Sequence, residues 1–248
     1  MELSQFVQQC HSVLLGDEGI TARHYLLNER GLAASTIERL QLGFCGGSQE
    51  LPGSSPELQK KNWLMKNRVT VPIGGEFGEI VGCAARVPNP KENGWWNTSF
   101  DKGHHIFLFD RARKAIFDAD KVYVFEGYMD TMILHQEGLL NSVGLMGTAL
   151  GYRRIGLLKR YCNRVCLCFD SDANKSGQEA RDRSVFEVSR FKFDDISEIS
   201  MPLEVDPDDY VLQHGLEEFL RLERRMAAGE IQAIARRYTR SLQGEVTE

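Results

Sequence analysis

The 248-residue chain has no apolar run near the roughly 18 residues that a bilayer-spanning helix needs. Its first residues, MELSQFVQQCHSVLLGDEG, have no basic start followed by an apolar stretch, which is the pattern of a secretory signal. No membrane partner is expected. Among Cys10, Cys45, Cys83, Cys162, Cys166 and Cys168 no pair has the C-x2-C spacing of a zinc knuckle, so no zinc is expected. The sequence also lacks a basic excess: 30 Lys and Arg against 35 Asp and Glu leave a net charge of −5. That argues against a protein coating nucleic acid non-specifically, while leaving room for a local basic groove. Internal repeats and low-complexity tracts are absent.

What is present is ordinary for a globular protein: 42% hydrophobic and 26% charged residues, with enough length for a sizeable core. Cys166 and Cys168 lie in the apolar run RVCLCF, where a strand would point both to one face; they read as reduced core thiols. The chain falls into three stretches. Residues 1–115 are mixed: ITARHYLLNERGL and STIERLQLG read as short amphipathic helices, the second with Ser35 as N-cap and Glu38 completing a capping box. CGGSQELPGSSPE reads as a loop, and RVTVPI (68–73) and EIVGCAARV (79–87) as strands joined by the turn GGEFG. In residues 116–205, KVYVFEG, NSVGLM, RVCLCFDSD and FKFDDISEIS read as strands alternating with helices, the pattern of a parallel sheet covered on both faces. Residues 206–248 read as a helical segment rich in good helix formers.

The informative carboxylates are those that follow strands. Glu126 ends KVYVF and is followed by Gly127; Asp170 and Asp172 end RVCLCF; Asp206 and Asp208 follow the fourth strand in VDPDDY. Alone, each has an ordinary explanation, since Asp after a strand is a common turn former or helix N-cap, and Pro207 suits a first helical position. Together they fall beyond the carboxyl ends of parallel strands, where open α/β sheets bind ligands. Like charges gathered there oppose folding unless a cation neutralises them. Oxygen ligands at this density suit Mg2+ or Mn2+. Two such ions about 4 Å apart would serve an in-line phosphoryl or nucleotidyl transfer.

FEGYMD (125–130), GTAL (147–150), FDSDANKSGQEA (169–180) and DPDDY (206–210) resemble the Toprim motifs of bacterial and phage DnaG-type primases, Tyr-Met-Asp after the Glu-Gly being similar to the primase branch. Upstream, YLLNERGLAASTIERLQLGFC, NRVTVPIGGEFGEIVGCAARV and NTSFDKGHHIFLFDRAR resemble the same polymerase core, so the likeness covers about residues 20–212. The resemblance implies an α/β Toprim-type parallel sheet flanked by helices, a mixed α+β basic subdomain before it and a helical segment after it. It implies Glu126, Asp170 and Asp172 as catalytic metal-binding carboxylates, with Asp130, Asp206 and Asp208 beside them. It implies Arg68, Arg86 and Lys102, with Asn97 at the same wall, as holders of template and nucleotide phosphates. Trp95 and Trp96 are adjacent and cannot both face one way on a strand, so at most one of them stacks on a base.

The implied function is template-directed synthesis of short RNA primers on single-stranded DNA, with ribonucleoside triphosphates as substrates and a replicative helicase or a zinc module acting in trans. Cytoplasmic residence, in a bacterium or in a phage host, is the matching expectation. The alternatives are a Toprim-type metal-dependent nuclease and a non-catalytic primase-like DNA-binding protein; the upstream basic subdomain favours the polymerase. The chain departs from the family pattern in carrying neither the zinc-binding module nor the helicase-interaction domain, which suggests an excised core or a small stand-alone protein of a phage or mobile element. Gly177 also stands five residues beyond Asp172 where three is usual, which reads as a longer loop.

Overall fold

A computed structural model describes residues 2–46, 65–89, 94–147, 149–169, 175–203 and 205–242, the side chains of 175–180 and 241–242 excepted. The chain divides into two compact units, Met1–Asp101 and Lys102–Glu248.

The first unit opens with a helix that the motif reading passed over, α1 (Leu3–Leu15). Its apolar residues Phe6, Val7, Cys10 and Leu14 recur at helical spacing and are all buried. There follow α2 (Ile20–His24), running into a π turn over Tyr25–Glu29, and α3 (Ala34–Arg39). Ser35 does not cap α3. The helix starts one residue before it, Ala33 is the N-cap, and the Ala33 carbonyl accepts from the amides of Thr36 and Ile37. Four antiparallel strands, β1 (Gly43–Cys45), β2 (Arg68–Gly74), β3 (Ile80–Arg86) and β4 (Trp96–Asn97), form a sheet in the order β1-β2-β3-β4. The β2–β3 turn is closed by the Gly75 amide donating to the Glu79 carbonyl, and Gly78 takes the positive φ of 92° that the turn needs.

In this unit Phe6, Cys10, Cys45, Met65, Cys83 and Ala85 form a buried cluster against which Trp96 packs. Trp95 instead lies 5.7 Å beneath the Arg86 guanidinium, so the two rings do face different ways. Most of the loop expected over 45–57 lies outside the described residues.

The second unit holds α4 (Phe109–Ala119), β5 (Lys121–Phe125), α5 (Tyr128–Gln136), β6 (Ser142–Gly144), α6 (Tyr152–Lys159), β7 (Arg164–Phe169), α7 (Lys175–Ser189), β8 (Asp195–Ser200), α8 (Pro207–His214), α9 (Leu216–Arg221), β9 (Glu223–Arg225) and α10 (Ala228–Leu242). The sheet order is β6-β5-β7-β8-β9. The first four strands are parallel, and β9 pairs antiparallel to β8. Alternation splits the strands between two faces. Val122, Val124, Val143, Val165, Leu167 and Ile196 join a core completed by Phe109, Ile116, Ile155, Leu158, Val185 and Ile234. Phe125 points to the opposite face, where it stacks on Phe219 of α9 at 6.1 Å. Here α8 packs on α5.

Two expectations need correction in this unit. The tail is not helical throughout, because Glu223–Arg225 form a fifth strand. Nothing in the alternation of 223–225 marks a strand; long-range polar contacts hold it. Glu223 accepts from Lys121 at 2.5 and 2.6 Å, from Tyr123 at 2.9 Å and from Ser197 at 2.5 Å. Gly177 belongs to the first turn of α7 rather than to a lengthened loop.

The six cysteines are buried and free. Cys166 and Cys168 do share a face, with sulfurs 3.8 Å apart. Burial pushes the Cys83 and Cys162 thiols up to about 12, which keeps them protonated at neutral pH. Among the described residues no helix is long and apolar enough to cross a membrane.

Candidate active site

The sheet's topology fixes where a ligand would go. From β5 the chain crosses to β6 on one side, and from β7 it crosses to β8 on the other. The strand order therefore reverses between β5 and β7, and the crevice beyond their carboxyl ends is the switch point where open α/β sheets place their sites. Glu126 is the first residue beyond β5 and is partly buried.

The turn that carries Glu126 is held at every residue. Its carbonyl accepts from the Gly147 amide at 3.1 Å, and the preceding Phe125 carbonyl accepts from Leu145 at 2.9 Å. The Gly127 carbonyl accepts from the hydroxyl of Thr131, a fully buried residue, at 2.8 Å. Asp130, only 7% exposed, sits in the first turn of α5, where the helix dipole favours a carboxylate. It folds back over the turn, so that a Cβ on Gly127 would meet Asp130 Oδ2 at 2.4 Å. Glycine is required at 127 for space, since its φ of −99° is open to any residue. Gly144 answers a similar demand at the end of β6, where a Cβ would lie 2.6 Å from Thr131 Oγ1 and 3.1 Å from the Gly127 carbonyl.

A second acidic group forms where the chain enters α8. Asp206 is the N-cap and Pro207 opens the helix, as the sequence predicts. Asp206, Asp208 and Asp209 each offer a carboxylate oxygen within 4.8 Å of the others. Asp208 is 3% exposed, while its two neighbours are exposed. Since β5 and β8 run parallel, α5 and α8 both begin at the same edge of the sheet. Three carboxylates this close, one of them buried, form a hard-oxygen donor set that fits a divalent cation. Asp170 follows β7 directly in sequence, but it and Asp172 lie outside the described residues.

Residues 123–211 match the Toprim-like family. A DNA primase of Enterococcus faecalis is 30% identical over 249 residues, covering 88% of this chain and 39% of the relative. A DNA primase domain from Pseudomonas aeruginosa is 25% identical with a TM-score of 0.76, covering 90% of this chain and 78% of that one. A DnaG primase catalytic domain bound to single-stranded DNA is also 25% identical, with a TM-score of 0.75, covering 98% of this chain and 87% of that one. The chain belongs with the catalytic cores of DnaG-type primases. It spans about two fifths of the curated relative's length, 39%.

Within this primase-type core, the basic residues singled out by resemblance fall in both units. In the first unit, Val69 pairs with Arg86, Val71 with Ala84, and Ala84 with Asn97. Arg86 and Asn97 therefore share a face of the sheet by strand parity, and Arg68, paired with Cys45, has the opposite parity. Arg86 is 8% exposed. Lys102 lies in the second unit, on a single 3-10 turn, Lys102–His104. Burial, and behind it the Arg154 guanidinium, hold the Lys102 ammonium below the ordinary lysine range.

The sequence reading missed three residues of this primase-type core. Asp209 completes the carboxylate group at α8 and was there to be read in DPDDY. Thr131 acts on the Gly127 carbonyl one helical turn back, and Arg154 on the Lys102 carbonyl far from it in sequence; no motif announces either contact.

Proposed function

We propose that this chain is the catalytic core of a DNA primase, joining ribonucleotides into short primers on single-stranded DNA by metal-dependent nucleotidyl transfer. The observation that carries this reading is the Glu126 turn, with its two successive carbonyls held by Gly147 and Thr131, at the switch point of a parallel sheet. Rigid presentation of one carboxylate is what a site built on positioning and electrostatics needs. The likeness to DNA primases over most of the chain, and to a DnaG domain bound to single-stranded DNA, supports the same reading.

Glu126, Asp130, Asp206, Asp208 and Asp209 would hold Mg2+ or Mn2+, joined by Asp170 and Asp172. When bound, the ions neutralise triphosphate charge and lower the pKa of the attacking 3′-hydroxyl. Arg86, Asn97, Arg68 and Lys102 would hold template and nucleotide phosphates. Arg suits this as a bidentate fork, and Lys as a point charge. A helicase and a zinc module would act in trans.

The test is incubation with single-stranded DNA, labelled ribonucleoside triphosphates and Mg2+ or Mn2+, read on a denaturing gel. Short labelled oligoribonucleotides that vanish with EDTA are the expected product. Metal-dependent shortening of the DNA without synthesis would replace this reading with a nuclease.

A further inference from the structure

Arg154 is the largest fully buried side chain among the described residues, 1% exposed, in the first turn of a helix otherwise ordinary for its sequence. Burying a guanidinium is costly unless its donors are satisfied. Arg154 spends them on main-chain carbonyls at two places. Nη1 donates to the Leu145 carbonyl at 3.3 Å and to the Ala149 carbonyl at 3.2 Å, bracketing the segment between them. Nη2 donates to the carbonyl of Lys102.

Both segments need holding. Met146 and Gly147 take positive φ of 60° and 69°, a strained pair for a non-glycine residue at 146. The Gly147 amide is the donor to the Glu126 carbonyl. Lys102 stands on a single 3-10 turn, a geometry too short to hold itself. The next arginine outward adds to the same turn, since Arg153 Nη1 lies 3.3 Å from His104 Nδ1.

We infer that Arg154 is a positioning residue, which fixes the phosphate-holding Lys102 and the carboxylate-bearing Glu126 turn relative to each other through the carbonyls of Lys102, Leu145 and Ala149. The inference rests on the primase reading for what Lys102 does, but not for where Lys102 is held. A guanidinium's planar fork fits this task, because one group must reach three carbonyls in two segments.

The experiment uses Arg154→Met, which keeps the volume and removes the donors, with Arg154→Lys and Lys102→Ala beside it. Lysyl endopeptidase cuts the Lys102–Gly103 bond, whose carbonyl is the one Arg154 holds. Cleavage there should become selectively faster in Arg154→Met, relative to the other lysine sites, and only partly so in Arg154→Lys. A general loosening would instead speed all sites together. In primer synthesis, Arg154→Met should raise the KM for ribonucleoside triphosphate roughly tenfold to a hundredfold, the scale of a misplaced binding group. The double variant with Lys102→Ala should have a KM no higher than that of Lys102→Ala alone. Unchanged cleavage at Lys102–Gly103, or KM effects that multiply in the double variant, would overturn the inference. If the wild-type chain makes no primers, the primase reading fails, and selective proteolysis still decides the role of Arg154.

Discussion

Around β9, Glu223 sits against Lys121, Glu198 against Arg181 and Arg224, and Asp182 against Arg237. At the start of α8, Asp206, Asp208 and Asp209 converge on one another instead. Both are partly buried clusters of charge in one unit, and their physics is opposite. The first joins opposite charges, so removing a member leaves a buried partner uncompensated. The second gathers like charges, which opposes folding until a cation arrives. Charge around β9 thus holds the sheet's last strand in place, while the start of α8 brings charge of one sign together. The Glu126 turn is held by neither kind of charge cluster: two backbone amides and one hydroxyl fix three successive main-chain carbonyls around it.

The two kinds of site respond differently to single substitutions. Of three such substitutions, Gly127→Ala should have the largest effect on activity. Its Cβ would displace the Asp130 carboxylate, which lies 2.4 Å from that position, while the main chain could stay where it is. Primer synthesis should fall by about a hundredfold. The stability loss should stay within about 1 kcal/mol, because a side-chain end rather than backbone has to move. Steady-state rates and thermal melts on one preparation check both.

Glu223→Gln should do the reverse. It should cost about 2–3 kcal/mol, because Lys121 is left 16% exposed without its partner. A melt should show this loss, with primer synthesis at low temperature retained. The same contact sets an acid limit. Burial would push Glu223 up, but hydrogen bonds from Lys121, Ser197 and Tyr123 outweigh it and leave the carboxyl below the ordinary glutamate range. A group lowered by folding adds stability above its unfolded value of about 4.3, and that stability is lost as pH falls through the folded value. Wild type should therefore lose its margin over Glu223→Gln in melts taken below that range. A margin that stays constant down to low pH would mean that the Glu223 contacts do not stabilise the fold.

Asp209→Asn should have the smallest effect and the opposite sign. In EDTA it relieves repulsion at an exposed position, and the chain should gain about 0.2–0.5 kcal/mol. With Mn2+ present the gain should shrink or reverse. A loss of stability in EDTA would mean that Asp209 serves the fold.

The same contrast explains what could be read from the sequence. The alternation of apolar strands with helices from Lys121 onward is local and periodic, so β5 to β8 were legible, and so was the Pro207 helix start. Cys166 and Cys168 sharing a face followed from strand parity alone. The β9 strand was not legible, because its residues are charged and its place is set by Lys121, about a hundred positions away. Capping failed at Ser35 for a related reason: a suitable side chain was present, but the helix began one residue earlier at Ala34. Glu126 was legible as a residue, from its place after KVYVF. The devices that hold it were not, since Thr131, Gly147 and Arg154 act on carbonyls that no motif displays.

The most direct test of the central claim compares wild type with Glu126→Gln in ribonucleotide incorporation on single-stranded DNA at saturating Mn2+, with thermal midpoints measured alongside. The substitution removes one ligand charge at nearly constant volume. Incorporation should fall by at least about a hundredfold, the scale set by removing one electrostatic contact to a reacting group, and the midpoint in EDTA should be unchanged or slightly higher. Incorporation retained near the wild-type rate would contradict the assignment of this edge as the catalytic metal site.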